Sequence, residues 1–381
     1  FITGTICAHN CMTKCMRNYY DEPVNIRATK LVAAEKGYDA YMSKITPPAP
    51  VTDGRKVAVI GGGPTGMSAA YFVGRAGIPV TLFEKVDRLG GIVRQVIPAF
   101  RISDEAIDKD VALMEKMGVE VKLNTEAPSV AELKAQGYTH IFFAVGAWKA
   151  GRLDIPGNVV PVIGWLRDMK AGKDVSLGHV AVVGGGNTAM DAARAALRAG
   201  AKSSTLVYRR TKKYMPADAE ELEMAIADGV EFLELVAPVE QKDGKLICEK
   251  MKLGDPDDKG RRKPVPTGEM VEIPCDTVVS AVGEKVESEV FTRNGITVDE
   301  KGIPAFKTNL EGVYAGGDAM RGPATVVEGI ADAQYFANAV IGEAHKFAIP
   351  AKAVATREEA VAKKGVLCES AKCEGNRCLT C

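Results

Sequence analysis

Little in this sequence pulls the chain toward a charged surface. Lys and Arg number 49 and Asp and Glu number 49, so no net field draws it to nucleic acid or to an anionic membrane. Long apolar runs are missing as well: nothing approaches the roughly 20 residues that a membrane helix needs, and no basic-then-apolar signal segment opens the chain. The chain therefore reads as soluble and cytoplasmic, with small-molecule chemistry as the default. Cysteine is nearly absent from the middle, where only Cys248 and Cys275 occur. The rest crowd the two ends, as Cys7, Cys11 and Cys15, and as Cys368, Cys373, Cys378 and Cys381. A secreted disulfide framework spreads its cysteines through a short chain, so this distribution points instead to metal ligands.

What the chain does have is glycine at informative places. Val57-Ala58-Val59-Ile60 is a short apolar run of the kind buried in a parallel sheet, and Gly61-x-Gly63-x-x-Gly66 follows at once. Gly61 permits the tight turn, Gly63 lets the backbone approach a pyrophosphate, and Gly66 lets a helix beginning near Thr65, just after Pro64 of the turn, pack on the strand with its amides toward the anion. Val80-Thr81-Leu82-Phe83 is a second strand. It closes on Glu84 and Lys85, where a carboxylate can accept hydrogen bonds from ribose hydroxyls. A glycine turn alone is weak, and Glu84 alone could be a solvated strand end. Strand, turn, helix and acid in that order make a βαβ dinucleotide site.

At 381 residues, length suggests two or three domains. The chain begins at Phe1 without an initiator Met and ends on cysteine, and is read as a segment of something longer. The first residues, to about 50, form a helical segment whose three cysteines recur at four-residue intervals, which would place them on one side of a helix or coil able to hold an iron–sulfur cluster. Such sites use four thiolates, so a ligand must come from elsewhere. Buried small apolar residues are the alternative. Pro47, Pro48 and Pro50 end that segment. Residues 51–157 then form the first part of a dinucleotide domain, with Leu89-Gly90-Gly91, Ile97-Pro98-Ala99-Phe100-Arg101, an amphipathic helix over 104–117, and strands over 119–123 and 141–145 that lead into Gly146. Gly91, Arg101 and Gly146 join the candidate contacts.

A second unit occupies residues 158–286. His179-Val180-Ala181-Val182-Val183 is its strand, and Gly184-Gly185-Gly186-Asn187-Thr188-Ala189 its phosphate turn, with Ala189 in the third small position. The next strand, 204–208, ends in Arg209-Arg210 where the first ended in an acid. Paired guanidiniums can hold a 2′-phosphate, which points to NADPH; unliganded surface arginines are the alternative. Residues 242–267 are charged and Gly/Pro-rich and read as an exposed hairpin or loop. Ala281 and Gly283 repeat the small-residue pattern of Gly146 where the chain returns to the first domain, over residues 287–346. There Gly316-Gly317-Asp318 ends a strand with an acid that could bind a sugar or ribityl hydroxyl, a helix cap or turn acid being the alternative, and Thr325 and Val326 open an apolar helix whose N-terminus could carry negative charge on a reduced ring. Glu328, near its start, is a candidate for positioning nicotinamide. Residues 347–381 form a cysteine-rich tail; Cys378 and Cys381 open a C-x-x-C, with cluster, zinc or free thiols all open. The fold class is α/β, with two nested Rossmann-like domains behind the short helical segment.

These motifs together resemble one family: the glutamate synthase small subunit, the N-terminal half of dihydropyrimidine dehydrogenase and the flavoprotein subunit of ferredoxin:NADP oxidoreductases, and most closely the selenate reductase-type flavoprotein of bacteria. The resemblance covers the chain to about residue 344. It implies FAD at the first site and NADPH at the second. It implies also that Cys7, Cys11 and Cys15 belong to two four-iron (4Fe-4S) clusters whose other cysteines lie upstream and are absent here; Lys30 stands where dihydropyrimidine dehydrogenase has a ligating Gln. The expected activity is electron transfer from NADPH through FAD to iron–sulfur centres in a partner domain or subunit, with no side chain acting as base or nucleophile. One rival is a disulfide reductase, which needs a C-x-x-C beside the flavin. The other is a flavin-binding assembly module without turnover.

Overall fold

Val57–Ile60 and Val80–Phe83 are buried at every residue, the pattern of strands covered on both faces. In the computed structural model of the chain they lie side by side in parallel, with Ile60 opposite Phe83 on one flank and Phe143 on the other. The structure describes residues 1–175, 177–258, 260, 262–342, 356–366 and 368–379. It divides into two compact units. One comprises Phe1–Arg94, Phe100–Gly146 and the chain from Ser288 onward; the other comprises Gln95–Ala99 and Ala147–Glu287.

The first unit is built on a five-stranded sheet in the order Val313–Ala315, His140–Phe143, Val57–Ile60, Val80–Phe83, Glu120–Lys122, all parallel. Its core joins Val57, Val59 and Leu82 to Phe142, Ala333 and Phe336. Phe142 stacks on Phe336 with ring centroids 4.4 Å apart, and Tyr314 meets Phe336 edge-on at 5.3 Å. Those contacts bind the helix Val326–Ile341 to the sheet although most of the second unit separates them in sequence. Burial of such a ring is worth roughly 2–3 kcal/mol, which is why the returning chain closes this sheet.

The second unit repeats the plan. Its five parallel strands run Val159–Pro161, Thr277–Ala281, His179–Gly184, Ser203–Tyr208, Glu231–Glu234. In both sheets the strand before the glycine turn is central, and strand order reverses beside it, which opens the crevice where α/β sheets bind ligands. Residues 242–267, expected as a hairpin or loop, lie largely within a three-stranded antiparallel sheet of Val236–Lys242, Lys245–Pro256 and Arg262–Pro274. Leu246 and Cys248 alternate inward along its middle strand, a period-two signal masked by charged neighbours. Where the chain enters and leaves this unit, Lys149–Ala150 pairs with Glu284–Lys285, and the Gly151 amide donates to Gly283 O at 2.6 Å.

The N-terminal segment is not one helix. It consists of Ile2–Thr5, Asn10–Thr13, a 3-10 turn Met16–Tyr19 and the helix Ile26–Lys44. Residues 356–379 fold back on it through Arg17, which is fully buried. Its Nη1 donates to Ala360 O at 2.9 Å and Arg377 O at 2.8 Å, and its Nη2 donates to Asp21 at 2.6 Å and Lys363 O at 3.1 Å. Arg377 reaches Asp21 at 3.2 Å and Glu374 at 2.9 Å. Burial alone would raise the Asp21 carboxyl, but hydrogen bonds from Arg17, the Gly365 amide and Arg377 hold it well below the usual range.

Candidate functional site

Each glycine turn carries three consecutive glycines, and the structure gives each a different reason. At Gly61, φ is +105° and a Cβ would stand 2.5 Å from Ala144 O; at Gly184 it would stand 2.3 Å from Ala281 O. The first glycine of each turn is therefore fixed by the neighbouring strand. A Cβ at Gly62 would meet Leu89 at 2.4 Å and Glu84 Oε2 at 3.0 Å, and one at Gly185 would meet the Tyr208 ring at 2.4 Å. In both units, then, the middle glycine makes room for the residue at the end of the second strand or just after it. Sequence reading passed over Gly62 and Gly185, and the run of three glycines was the signal that could have found them.

Gly63 and Gly186 are the exceptions. Nothing lies within 4 Å of a Cβ at Gly186, and at Gly63 only Gly91 Cα, at an ordinary 3.8 Å. Neither has positive φ, with values of −73° and −94°. No protein atom requires glycine at either place. The open backbone there leaves room for an anion such as a pyrophosphate to approach closely.

The helices that follow fit that anion. Pro64–Arg75 starts with Pro64, whose missing N–H costs nothing there, and neither it nor Asn187–Arg198 has a side-chain cap or an acid in its first turn. Their leading amides are left for a ligand. A Cβ at Gly66 would lie 1.8 Å from Gly61 O, whereas Ala189 is tolerated and fully buried, so the first helix sits closer to its strand.

Glu84 is buried, its Oε2 accepting from the Gly62 amide at 2.7 Å and its Oε1 from the Val86 amide at 3.0 Å. Each oxygen keeps a further lone pair, so the carboxylate is aimed and still able to accept from a ribose. Lys85 beside it is exposed. The Leu89-Gly90-Gly91 loop lies against the turn: Gly90 N donates to Gly62 O at 2.8 Å, and a Cβ on Gly91 would come within 2.7 Å of Gly63 Cα. Arg94, unremarked in the sequence, is buried and holds that loop by donating to Leu89 O and pairing with Asp108 at 2.5 Å. Arg101 is half-buried, and Gly146 has φ +76° just beyond the third strand of the crevice.

In the second unit Asn187 Oδ1 accepts from the Asp218 amide at 3.0 Å, and Thr188 is half-buried in the first turn of the helix. Arg209 is exposed and Arg210 half-buried, and neither guanidinium has a partner among the described residues. Ala281 ends its strand against Gly184, and Gly283 lies in the paired crossing segments.

Back in the first unit Gly317 has φ +65°, and Asp318 Oδ1 accepts from the Ala324 amide at 3.1 Å. The next helix is capped by itself. Thr325 and Glu328 form a reciprocal capping box in which Glu328 Oε2 accepts from Thr325 N at 2.9 Å and Thr325 Oγ1 at 2.6 Å. Those bonds hold Glu328 below its usual carboxylate range. One oxygen of Glu328, Oε2, thus serves the helix start, with Thr325 as the cap and Val326 the first helical residue, and the side chain is exposed.

The cysteines do not assemble. Cys7 is buried, Cys11 exposed and Cys15 half-buried, on separate short elements divided by His9 in the left-handed region at φ 40°. A four-residue repeat puts cysteines on one face only if a single helix carries them, and the chain breaks that helix. Cys368 and Cys373 form a disulfide, Cys378 is exposed, and Cys381 lies outside the described residues. Among the described residues no three His, Cys, Asp or Glu stand close enough to hold a metal ion. Among the described residues, Cys7, Cys11 and Cys15 thus do not fit a cluster as they are placed. No helix of the described residues is long and apolar enough to cross a membrane.

Cys248 and Cys275 sit together in the core of the second unit. Burial pushes the Cys248 thiol up to about 12 and the Cys275 thiol up to about 11. They make no redox pair at a flavin. Neither should alkylate with iodoacetamide at roughly pH 8 until the protein is unfolded in guanidinium, when both should, as mass spectrometry would show. Because the folded thiols keep their protons where unfolded ones lose them, the pair should also destabilise the fold as pH rises above about 9.

Residues 55–333 match the pyridine nucleotide-disulphide oxidoreductase family. The chain belongs to that family. It is 42% identical over 351 residues to "Putative oxidoreductase YgfK" of Escherichia coli K12, covering 89% of this chain and 34% of that protein. It is 32% identical to the glutamate synthase [NADPH] small chain of Halomonas elongata, covering 86% of this chain and 76% of that one. Among solved structures it resembles Mycobacterium tuberculosis FprA in complex with NADPH, with a TM-score of 0.62 at 21% identity over 77% of this chain and 87% of that one, a likeness of fold. The chain spans about a third of the length of the E. coli relative, 34%.

Proposed function

We propose that this chain is an NADPH-dependent flavin oxidoreductase module that holds FAD at the first glycine turn and NADPH at the second, and passes electrons to a partner domain or subunit bearing iron–sulfur centres. The observation that carries this reading is the pair of uncapped helix starts behind Gly63 and Gly186, where no protein atom crowds the backbone and a pyrophosphate would fit, on turns whose second strands end differently. FAD, when bound, supplies acceptance of two electrons and release of one at a time.

The rest is the work of the chain's residues. The amides at the start of Pro64–Arg75 and Asn187–Arg198 take the two pyrophosphates. Glu84, already aimed by the Gly62 and Val86 amides, accepts from the adenosine ribose of FAD. Asp318 accepts from a ribityl hydroxyl. Arg209 and Arg210 take the 2′-phosphate in charge-assisted hydrogen bonds, which favours NADPH over NADH. The described cysteines build no cluster, so this reading places the iron–sulfur acceptor outside them, in keeping with a relative that is the small chain of an NADPH enzyme.

Anaerobic mixing tests this. The purified protein should carry flavin, and NADPH should bleach its visible absorbance while NADH does so far more slowly. A protein without flavin defeats the reading. A flavin that NADPH leaves unbleached makes the chain an assembly module instead.

A further inference from the structure

Asp332 lies nearly two turns inside the helix Val326–Ile341, where an unpaired carboxylate would be strongly destabilising. It is 2% exposed, and the buried residues around it on that helix are Gly329, Ala333 and Phe336. Its Oδ1 accepts from Arg321 Nη2 at 2.6 Å. Its Oδ2 accepts from Arg321 Nε at 2.7 Å and from the Gly317 amide at 2.9 Å. Gly317 is the cap of the four-residue helix Asp318–Arg321, and Arg321 is its last residue. One carboxylate therefore holds both ends of the short helix that begins with Asp318.

The surroundings leave that helix little freedom. A Cβ at Gly317 would lie 2.3 Å from Thr65 Oγ1, one at Gly329 would lie 2.2 Å from the same atom, and one at Gly316 would lie 2.6 Å from the Phe142 ring. The turn is thus wedged between the first glycine-turn helix and the sheet, with Asp332 beneath it. A buried ion pair is a poor source of stability, since apolar residues of similar volume commonly do as well. What it does supply is orientation. Three directed hydrogen bonds on one carboxylate fix the Gly317 peptide and the Arg321 end together, and so fix where the Asp318 side chain emerges.

We infer that Asp332 is a positioning residue for the flavin: paired with Arg321, it sets the Gly317–Asp318 turn so that the Asp318 carboxylate is presented to a ribityl hydroxyl in one orientation. The inference rests on the flavin reading above. It assigns Arg321 a part as well, since Arg321 neutralises a charge that would otherwise oppose the buried turn.

The test uses the full chain, freed of flavin and titrated with FAD by fluorescence quenching, in wild type, Asp332→Asn, Arg321→Met and Arg321→Lys. Arg321 has a side chain 36% exposed and Arg321→Lys keeps a cation beside Asp332, so that variant keeps the core even if Asp332→Asn or Arg321→Met does not fold. Asp332→Asn and Arg321→Met should raise the FAD dissociation constant on the order of tenfold, as a displaced contact group would. Arg321→Lys, which keeps the charge but not the fork, should recover part of the loss. NADPH affinity at the second unit should not change. FAD affinities equal to wild type overturn the inference, and so does an equal loss of NADPH affinity, the mark of general unfolding. A wild type that takes up no FAD defeats the flavin reading itself, before any variant is compared.

Discussion

Gly66→Ala should yield little folded protein, while Gly63→Ala, three residues away, should fold like the wild type and bind FAD on the order of a hundredfold more weakly. The two substitutions add the same methyl group to the same turn, and the structure separates them. At Gly66 the new Cβ would stand 1.8 Å from Gly61 O, a backbone atom that can retreat only if the helix lifts from the strand. Overpacking of that kind costs about 3 kcal/mol or more, a large part of a domain's stability. At Gly63 the nearest protein atom is 3.8 Å away and φ is −73°, so the protein itself accepts alanine. The methyl would instead occupy the approach of the pyrophosphate. Thermal melting without added nucleotide, set beside FAD titration, measures both effects. Equal melting losses for the two variants would mean that Gly63 is structural and that the phosphate argument fails.

Replacing Arg209 and Arg210 together by alanine should raise the NADPH concentration needed for half-maximal flavin reduction about a hundredfold and leave that for NADH nearly unchanged. Each charge-assisted hydrogen bond to a phosphate is worth roughly 1.5–3 kcal/mol, and two at a partly exposed site come to about 3 kcal/mol. Neither guanidinium has a partner among the described residues, so their removal should not disturb the fold. Steady-state reduction with each nucleotide decides the matter. A parallel loss with NADH would show that the arginines serve the common part of the nucleotide, or the fold, rather than the 2′-phosphate.

Both predictions concern residues that a reader of the bare sequence could find, and there is a physical reason. Gly61, Gly66 and Gly184 answer to demands set within about 85 or about 100 residues by a strand, a turn and a helix, and such demands leave glycine in fixed places. The order of strands around them follows from the same units. Asp332 was not legible, because an acid in an alanine-rich helix looks solvated until its face is known; its partners, Gly317 and Arg321, lie in a different element. Glu328 carries two readings at once. Its place near a helix start suggested a ligand, and Thr-x-x-Glu is also the local pattern of a capping box. The cysteine spacing at 7, 11 and 15 suggested one helical face, but spacing does not say whether a helix persists, and His9 interrupts it. Arg17 gave no signal, for its carbonyl acceptors lie 343 to 360 residues away.

That last arrangement has a practical corollary. With Arg17 sealed beneath residues 356–366 and 368–379, two segments far apart in sequence make a clasp, and removing one uncovers the other. Shortening the chain after Gly342 to obtain a tidier nucleotide-binding body would strip three carbonyl acceptors from a guanidinium at once.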